Sequence, residues 1–545
     1  MTTRVLYRIV LVIGVALAMT FIALSLPALA AEPSRNLPAS WKVGTQPAPA
    51  APLADTYITT NTTWTLAGSP YILEGSLRIE PSATLTIEAG VEVRVPSGHA
   101  VIVLGVLNAM GTQAQPILFT SVADSAPGQW RGVLFQGWGG AGVKGQGTLE
   151  HVIVRYGGQP HWNGQKANVV VGGAFAQVTI RNSTIYSAAA DAYGIYAWPD
   201  SLDVADTTLS GGGLYGLYVT ITATNQNTLT GSTVQGFTQG GVYGEQPINI
   251  SNSTIRNNGG YALNLPDDAL IGLGAGNTFE NNTFNRVLLR GSGWGGGAGE
   301  AVLRKYTGLD GYELAYGTSY SVTVGPALTL TVEPGVRVLG RSGTALVVLG
   351  RLYAIGAQEQ PITFTSVEDS AAGQWAGLRY FYRTPFAKSG GMLDHVVVRY
   401  GGQEMDGIQA NLAAVNGAPL TIYNSQVYSA ANGAHGIYAV PSRLLISNTA
   451  IISGGGYGLC AWWAGGHTTL THSIVQGFTQ GGVWAIGARL DLNTTNIFTN
   501  GGYALMYGDW TLHHMGEGNA FVGNEINRIL IQGSDENGLE EDDAI

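Results

Sequence analysis

Asn182-Ser183-Thr184-Ile185, Asp206-Thr207-Thr208-Leu209, Gly231-Ser232-Thr233-Val234 and Asn252-Ser253-Thr254-Ile255 repeat one pattern, with their apolar members 24, 25 and 21 residues apart. A companion pattern runs beside it: Tyr193-Gly194-Ile195, Tyr215-Gly216-Leu217, Gly240-Gly241-Val242 and Tyr261-Ala262-Leu263. A unit of this length holding about three short strands is one coil of a parallel β-helix; propeller blades need ~40 residues, and the leucine-rich repeat signature is missing. In such a coil each strand pairs with its equivalents above and below, so like positions stack at about 4.8 Å. Ile and Leu then form inward columns, while Ser, Thr and Asn form ladders that satisfy the backbone at corners. Those corner roles also account for the triplets that match a glycosylation sequon.

A longer repeat encloses the short one. Gln115-Pro116-Ile117-Leu118-Phe119-Thr120-Ser121-Val122 returns as Gln360-Pro361-Ile362-Thr363-Phe364-Thr365-Ser366-Val367, and Val154-Arg155-Tyr156-Gly157-Gly158-Gln159 as Val398-Arg399-Tyr400-Gly401-Gly402-Gln403. Val234 to Val242 and Asn258 to Leu263 return at Val475 to Val483 and Asn500 to Leu505, so two modules share one plan. The predicted fold is all-β, a right-handed parallel β-helix in two tandem duplicated modules. The expected boundaries are a signal peptide at 1–30, a Pro/Ala-rich linker at 31–55, module 1 at 56–292, a Gly-rich linker at 293–301, module 2 at 302–534 and an acidic tail at 535–545. At ~22 residues per coil each module makes about ten coils, roughly 48 Å of rod.

Composition agrees. The 545 residues include 79 Gly, and only 11% are charged, too few for the wet faces of helices. The net charge is −10, of which the last eleven residues supply −6 and the remainder −4. No basic stripe is present, so no nucleic-acid partner is expected. Arg4 and Arg8, the apolar run Ile9 to Leu26 and Ala28-Leu29-Ala30 read as a secretory signal, or as an N-terminal membrane anchor if it is not cleaved. The expected location is secreted, extracellular or on a bacterial cell surface. Cys460 is the single cysteine, so no intrachain disulfide forms.

Leu85-Thr86-Ile87-Glu88-Ala89-Gly90-Val91, Leu104 to Thr112, Pro116 to Ser121 and Gly128-Gln129-Trp130-Arg131-Gly132 resemble the opening of secreted bacterial right-handed parallel β-helix repeat proteins of the pectin-lyase-like group. The resemblance implies the fold, and a setting in which many relatives cut or bind polysaccharides. Fold alone does not transfer function. Glycosidases of the group use several Asp residues with His-Gly and Arg-x-Lys motifs, one carboxyl protonating the leaving oxygen and another activating water. Asp267-Asp268 is the nearest match, but the supporting motifs are absent and His435-Gly436 is many coils away. Lyases of the group hold calcium on clustered acids, since a hard cation takes oxygen ligands. Asp200, Asp203 and Asp206 are the nearest match, and Ser442, Leu445 and Asn448 replace them in the second half.

Glu150-His151 with Arg155-Tyr156 recurs as Asp394-His395 with Arg399-Tyr400, which marks scaffold rather than a site. Trp130 and Trp375 recur as corner packing. His467, His472, His513 and His514 lack metal-ligand spacing, and Cys460 lacks a His–Asp partner. No catalytic residue, metal or cofactor is therefore assigned. The functional expectation rests on aromatics. Strand alternation turns Tyr196, Tyr218 and Tyr243 outward on successive coils, and Tyr438 and Trp484 likewise, with Trp462 and Trp463 nearby. The expected function is a noncatalytic structural or adhesion-type β-helix binding polysaccharide through these outward rows. The alternatives are a lyase or glycoside hydrolase acting on an acidic polysaccharide, and a scaffold for surface proteins with loops Gly137 to Gly147 and Tyr382 to Gly391 giving specificity.

Overall fold

A computed structural model describes residues 55–532, except 139–141, 221–225, 293–297, 318–320, 382–388, 463–465, 488 and 509–511, and except the side chains of Leu512 and His513. The expected signal peptide, residues 31–54 of the linker, the acidic tail and Trp463 lie outside the described residues. The rest is a right-handed parallel β-solenoid of about 19 turns. At ~4.8 Å per turn it runs for roughly 85 Å.

Each coil of the first module passes over three faces, and Ala167–Arg181 and Tyr193–Ala205 each run as one strand over two of them. On the first face, Val133–Gln136 pairs with the start of Ala167–Arg181, which pairs with the start of Tyr193–Ala205, and the ladder goes on through Tyr215–Val219, Gly240–Gly244, Tyr261–Pro266 and Phe284–Arg290. The second face carries Gln146–Glu150 and Gln226–Thr230; the third carries Val152–Arg155, Thr184–Ala188, Thr208–Gly212, Thr233–Gln235, Thr254–Arg256 and Thr278–Glu280.

The repeated four-residue pattern is one corner of this coil. Asn182, Asp206 and Asn252 sit at φ near +50°, with Gly231 at +59° in the equivalent place. Asn, Asp and Gly tolerate that left-handed conformation best. The next residue turns inward as a buried ladder: Ser183 N donates to Thr207 Oγ1 (3.3 Å), Thr207 N to Ser232 Oγ (3.1 Å), Ser232 N to Ser253 Oγ (3.2 Å) and Ser253 N to Asn277 Oδ1 (3.0 Å). Each hydroxyl pairs a buried amide that would otherwise be orphaned. The fourth residue packs in the core column Ile185, Leu209, Val234, Ile255 and Phe279, all buried. The second module builds the same ladder from Ser425, Thr449 and Ser473.

The two arginines of the recurring polar sets make matching contacts in the two modules. Arg155 Nε donates to Asp124 (2.8 Å) and its Nη1 to Tyr186 (2.8 Å); Arg399 repeats this with Asp369 (2.8 Å) and Tyr428 (2.5 Å). Burial works against the charge of Asp124, but the bonds from Arg155 and Thr120 outweigh it and hold the carboxyl below its usual range. Trp130 and Trp375 are buried and donate their indole N–H to the carbonyls of Arg155 and Arg399.

The modules join without a break in one ladder, but out of phase. Phe284–Arg290, on the first face, pairs with Gly311–Ala315, and that ladder continues through Arg337–Gly340, Ile362–Ser366 and Val396–Arg399. Ile362–Ser366 is the copy of Ile117–Ser121, a third-face strand. The copies of the first-face strands instead form a separate sheet from Val322–Val324 through His435–Ala439, Tyr457–Trp462 and Gly481–Ile486 to Ile526–Gln532. The second module is therefore turned by one face about the rod. Of the expected linker at 293–301, Gly299–Leu303 is a strand paired with Leu328–Val332.

Two buried carboxylates fasten this seam. Glu313, 1% exposed, accepts from Tyr261 Oη (2.8 Å), Arg286 Nη1 (2.9 Å) and Arg341 Nε (2.6 Å), tying together four successive coils. Asp267 Oδ1 accepts from Ser292 N (3.0 Å) and Oγ (2.5 Å), and Oδ2 from Thr323 N (2.9 Å).

Candidate functional site

Tyr196, Tyr218 and Tyr243 do face outward, in direct register on three successive coils. Their rings lie nearly parallel, with centroids 5.2 and 4.7 Å apart. Identical flat side chains in parallel register stack face to face. Both faces of Tyr218 are therefore taken, and the outer face of Tyr243 carries the Arg290 guanidinium 4.5 Å from its centroid. The row presents edges and hydroxyls, so contact between the Tyr218 ring face and a sugar, as the sequence suggested, is closed. Tyr218 Oη donates to Glu245 (3.1 Å), while Arg290 Nη1 donates to Tyr243 Oη (2.9 Å). Burial, then Glu245, pushes the Tyr218 hydroxyl up, and burial does the same for Tyr196. Both stay protonated and able to donate.

A second file flanks the first. Tyr193 lies 4.8 Å from Tyr218, Tyr215 lies 5.4 Å from Tyr243, and Trp198 meets Tyr196 edge-on at 5.5 Å. Tyr193 and Tyr215 are the first members of the Tyr-Gly-aliphatic pattern. Trp198 lies flat on Gly172, where an added Cβ would come within 2.2 Å of the indole.

Tyr193, Tyr196 and Trp198 pack on Leu134, Ala167 and Val170, and the loop 157–166 runs beside them. Between it and the tyrosines opens a cavity of about 400 Å³ lined by Asn163, Gln165, Lys166, Asp191, Tyr193 and Tyr196. Lys166 pairs with Asp191, and the pairing holds the aspartate below its usual range. Gln165 Oε1 is buried without a protein partner. Trp162 on the same loop is 57% exposed. His161 beside it is buried, and burial first, then Arg131, pushes its imidazole down to about 4. In the second module Gln409 and Gly433 stand where Lys166 and Asp191 stand, so the polar pair exists once.

The second module's aromatics lie on the turned face and differ in packing. Tyr438, Cys460 and Trp484 share one register, but Cys460 is buried and burial pushes its thiol up to about 12. Tyr457 tilts against Trp484 at 5.2 Å, and Trp462 is half exposed. The two rows do not join.

The acid candidates separate. Asp203 bonds Arg181 (2.6 Å) and Thr228 (2.5 Å), Asp200 accepts from Gln177 (2.7 Å), and Asp206 occupies a left-handed corner. Among the described residues no group of three or more His, Cys, Asp or Glu side chains is placed to hold a metal ion. Asp267 is sealed in the seam. Asp268 is different: Oδ1 is buried without a protein partner, and burial, then Asp267, pushes its carboxyl up to about 6. A carboxyl raised in the folded state costs stability above about pH 6, and the cost disappears as pH falls to its ordinary value of 3.8. Asp268→Asn is expected to stabilise the protein at pH 7.5 by about 1–2 kcal/mol, after discounting for solvent screening, and to change nothing at pH 3.5. Urea titrations of both proteins at the two pH values measure this.

Comparison with known proteins agrees with the fold. Residues 56–164 match the Pectate-lyase like beta helix domain, and residues 167–300 match the Right handed beta helix region. No curated protein matches the chain. Among solved structures, the PL6 family alginate lyase AlyGC is 9% identical over 88% of this chain and 94% of its own, with a TM-score of 0.25. The catalytic domain of a GH87 alpha-1,3-glucanase is 10% identical over 86% and 64%, with a TM-score of 0.16. Scores this low carry no functional argument. Two consecutive matches on an all-parallel coil agree with one another: this chain is a right-handed β-solenoid whose first module carries a pectate-lyase-like β-helix domain followed by a right-handed β-helix region.

Proposed function

We propose that this is a secreted or cell-surface solenoid that binds polysaccharide without cleaving it, through the first face of its first module. The observation that carries the reading is the cavity between loop 157–166 and the tyrosine files. It combines an ion pair, the polar side chains of Asn163 and Gln165 and aromatic walls, the mix of fixed polar groups and apolar surface that suits a hydroxylated ring. Its Lys166–Asp191 pair occurs in one module of two, away from the seam, with Gln409 and Gly433 in the equivalent places. The N-terminal run Met1 to Ala30 supports export.

The test is a glycan array with the full chain, followed by calorimetry on the ligands found. Lys166→Ala and Tyr196→Ala are expected to weaken binding at least tenfold. Absence of binding to every glycan overturns the reading. The enzymatic alternative has one observation in its favour, the raised carboxyl of Asp268 near Arg290. Release of reducing ends or unsaturated products that Asp268→Ala abolishes would establish that alternative instead.

A further inference from the structure

The first module carries a second aromatic feature that the cavity does not use. Trp138 and Phe175 are each 53% exposed, in a rod whose other large aromatics are mostly stacked or buried. They occupy one corner, between the first and second faces, on adjacent coils: Gly137 N donates to Gly172 O (2.7 Å), and Phe175 N donates to Gly137 O (3.2 Å). Phe175 falls where the long strand Ala167–Arg181 leaves register, between Gly173 and Gln177, so the backbone departs from the ladder to present it. The next coil sets Trp198 directly over Gly172. Trp198, half-buried with one face on Gly172, then meets Tyr196 edge-on at the cavity, so aromatic side chains stand on three successive coils between the corner and the cavity.

The fold does not need this corner. In the second module Gly417 and Val440 take the places of Phe175 and Trp198. Its bordering charges are largely occupied: Asp200 accepts from Gln177 (2.7 Å), and Lys166 is held by Asp191. Lys144 on the adjoining loop is exposed, but one solvated lysine holds a polyanion weakly. Exposed ring faces without a field of free cations suit a ligand that is apolar on its face and uncharged at its rim.

We infer that Trp138, Phe175 and Trp198 form a platform for an uncharged pyranose polysaccharide, whose sugar rings lie on the aromatic faces while the chain runs on into the Lys166–Asp191 cavity. The inference rests on the glycan-binding reading of that cavity and narrows its ligand class. One coil step, about 4.8 Å, is close to the length of one sugar in an extended chain, so neighbouring aromatics would meet neighbouring residues.

The experiment compares a β-1,4-linked glucose hexamer, a β-1,4-linked mannose hexamer and a galacturonate hexamer by calorimetry with the full chain. At least one neutral hexamer is expected to bind more than tenfold tighter than the galacturonate hexamer. Trp138→Ala with Phe175→Ala is expected to reduce that binding at least tenfold, with an unchanged melting temperature and circular dichroism. Indole fluorescence of the parent should shift on titration, and the shift should shrink in Trp138→Phe, which keeps an aromatic ring at that place and leaves Trp198 to report. Preference for the charged hexamer, or neutral binding untouched by the double variant, overturns the platform. In either case loss of binding in Lys166→Ala would leave the cavity's role standing.

Discussion

Glu313→Ala is expected to destabilise the solenoid by about 3–5 kcal/mol, because it leaves Arg286 and Arg341 gathered around an absent charge. Exposure of the Arg341 side chain, 44%, lets that cation rehydrate and places the cost toward the lower end. The form of unfolding should change as well as its midpoint. A solenoid is held by contacts between neighbouring coils, so weakening one interface uncouples what lies on either side. The parent should unfold in one transition, and Glu313→Ala in two, read by denaturant titration with hydrogen exchange locating the first opening near 284–315. Replacing Glu313, Arg286 and Arg341 together by Leu, Met and Met should recover most of the loss, since removing a whole buried ion cluster is often neutral. A single transition with an unchanged midpoint in Glu313→Ala would show that the coils cohere without this network.

How far the sequence was legible depends on what each feature requires. The coil was legible because a corner demands particular chemistry at fixed places: a residue tolerant of φ near +50° at Asn182 and Asp206, a ladder hydroxyl at Ser183 and Thr207, a core aliphatic at Ile185 and Leu209. The one-face turn was not legible, since the repeat specifies the strands within each module, down to Phe284–Arg290 and its copy Ile526–Gln532, but not the phase at which one module hands over to the next. Alternation correctly turned Tyr196, Tyr218 and Tyr243 outward, yet it fixes only the side of the sheet. Whether a ring shows its face or its edge follows from stacking at the coil spacing. Trp138, Phe175 and Trp162 escaped because they stand on loops or at a bulge, where no period predicts orientation. The duplication offered the best guide to them, through comparison of Phe175 with Gly417 and Trp198 with Val440.

That comparison has one blind spot, and Asp267 lies in it. A residue that occurs once in a duplicated chain belongs either to a site or to the seam, because the seam also occurs once. Asp267-Asp268, the nearest match to a catalytic acid pair, passes that comparison because it occurs once. The carboxylate of Asp267 is fully buried and spends both oxygens on Ser292 and Thr323, leaving none turned toward a substrate. Asp267→Ala removes a partner from two part-buried backbone amides; a fully buried amide left unpaired costs about 1–3 kcal/mol, and partial access to water lowers that. A loss of roughly 2–4 kcal/mol is expected, with faster exchange at Ser292 and Thr323. Asp267→Asn should recover little, because its NH2 group would face one of the same donors. A seam role and a catalytic role then part cleanly: glycan affinity should survive in Asp267→Ala at temperatures where the fold persists, and a variant of parent stability that has lost an activity would reassign Asp267 to a site.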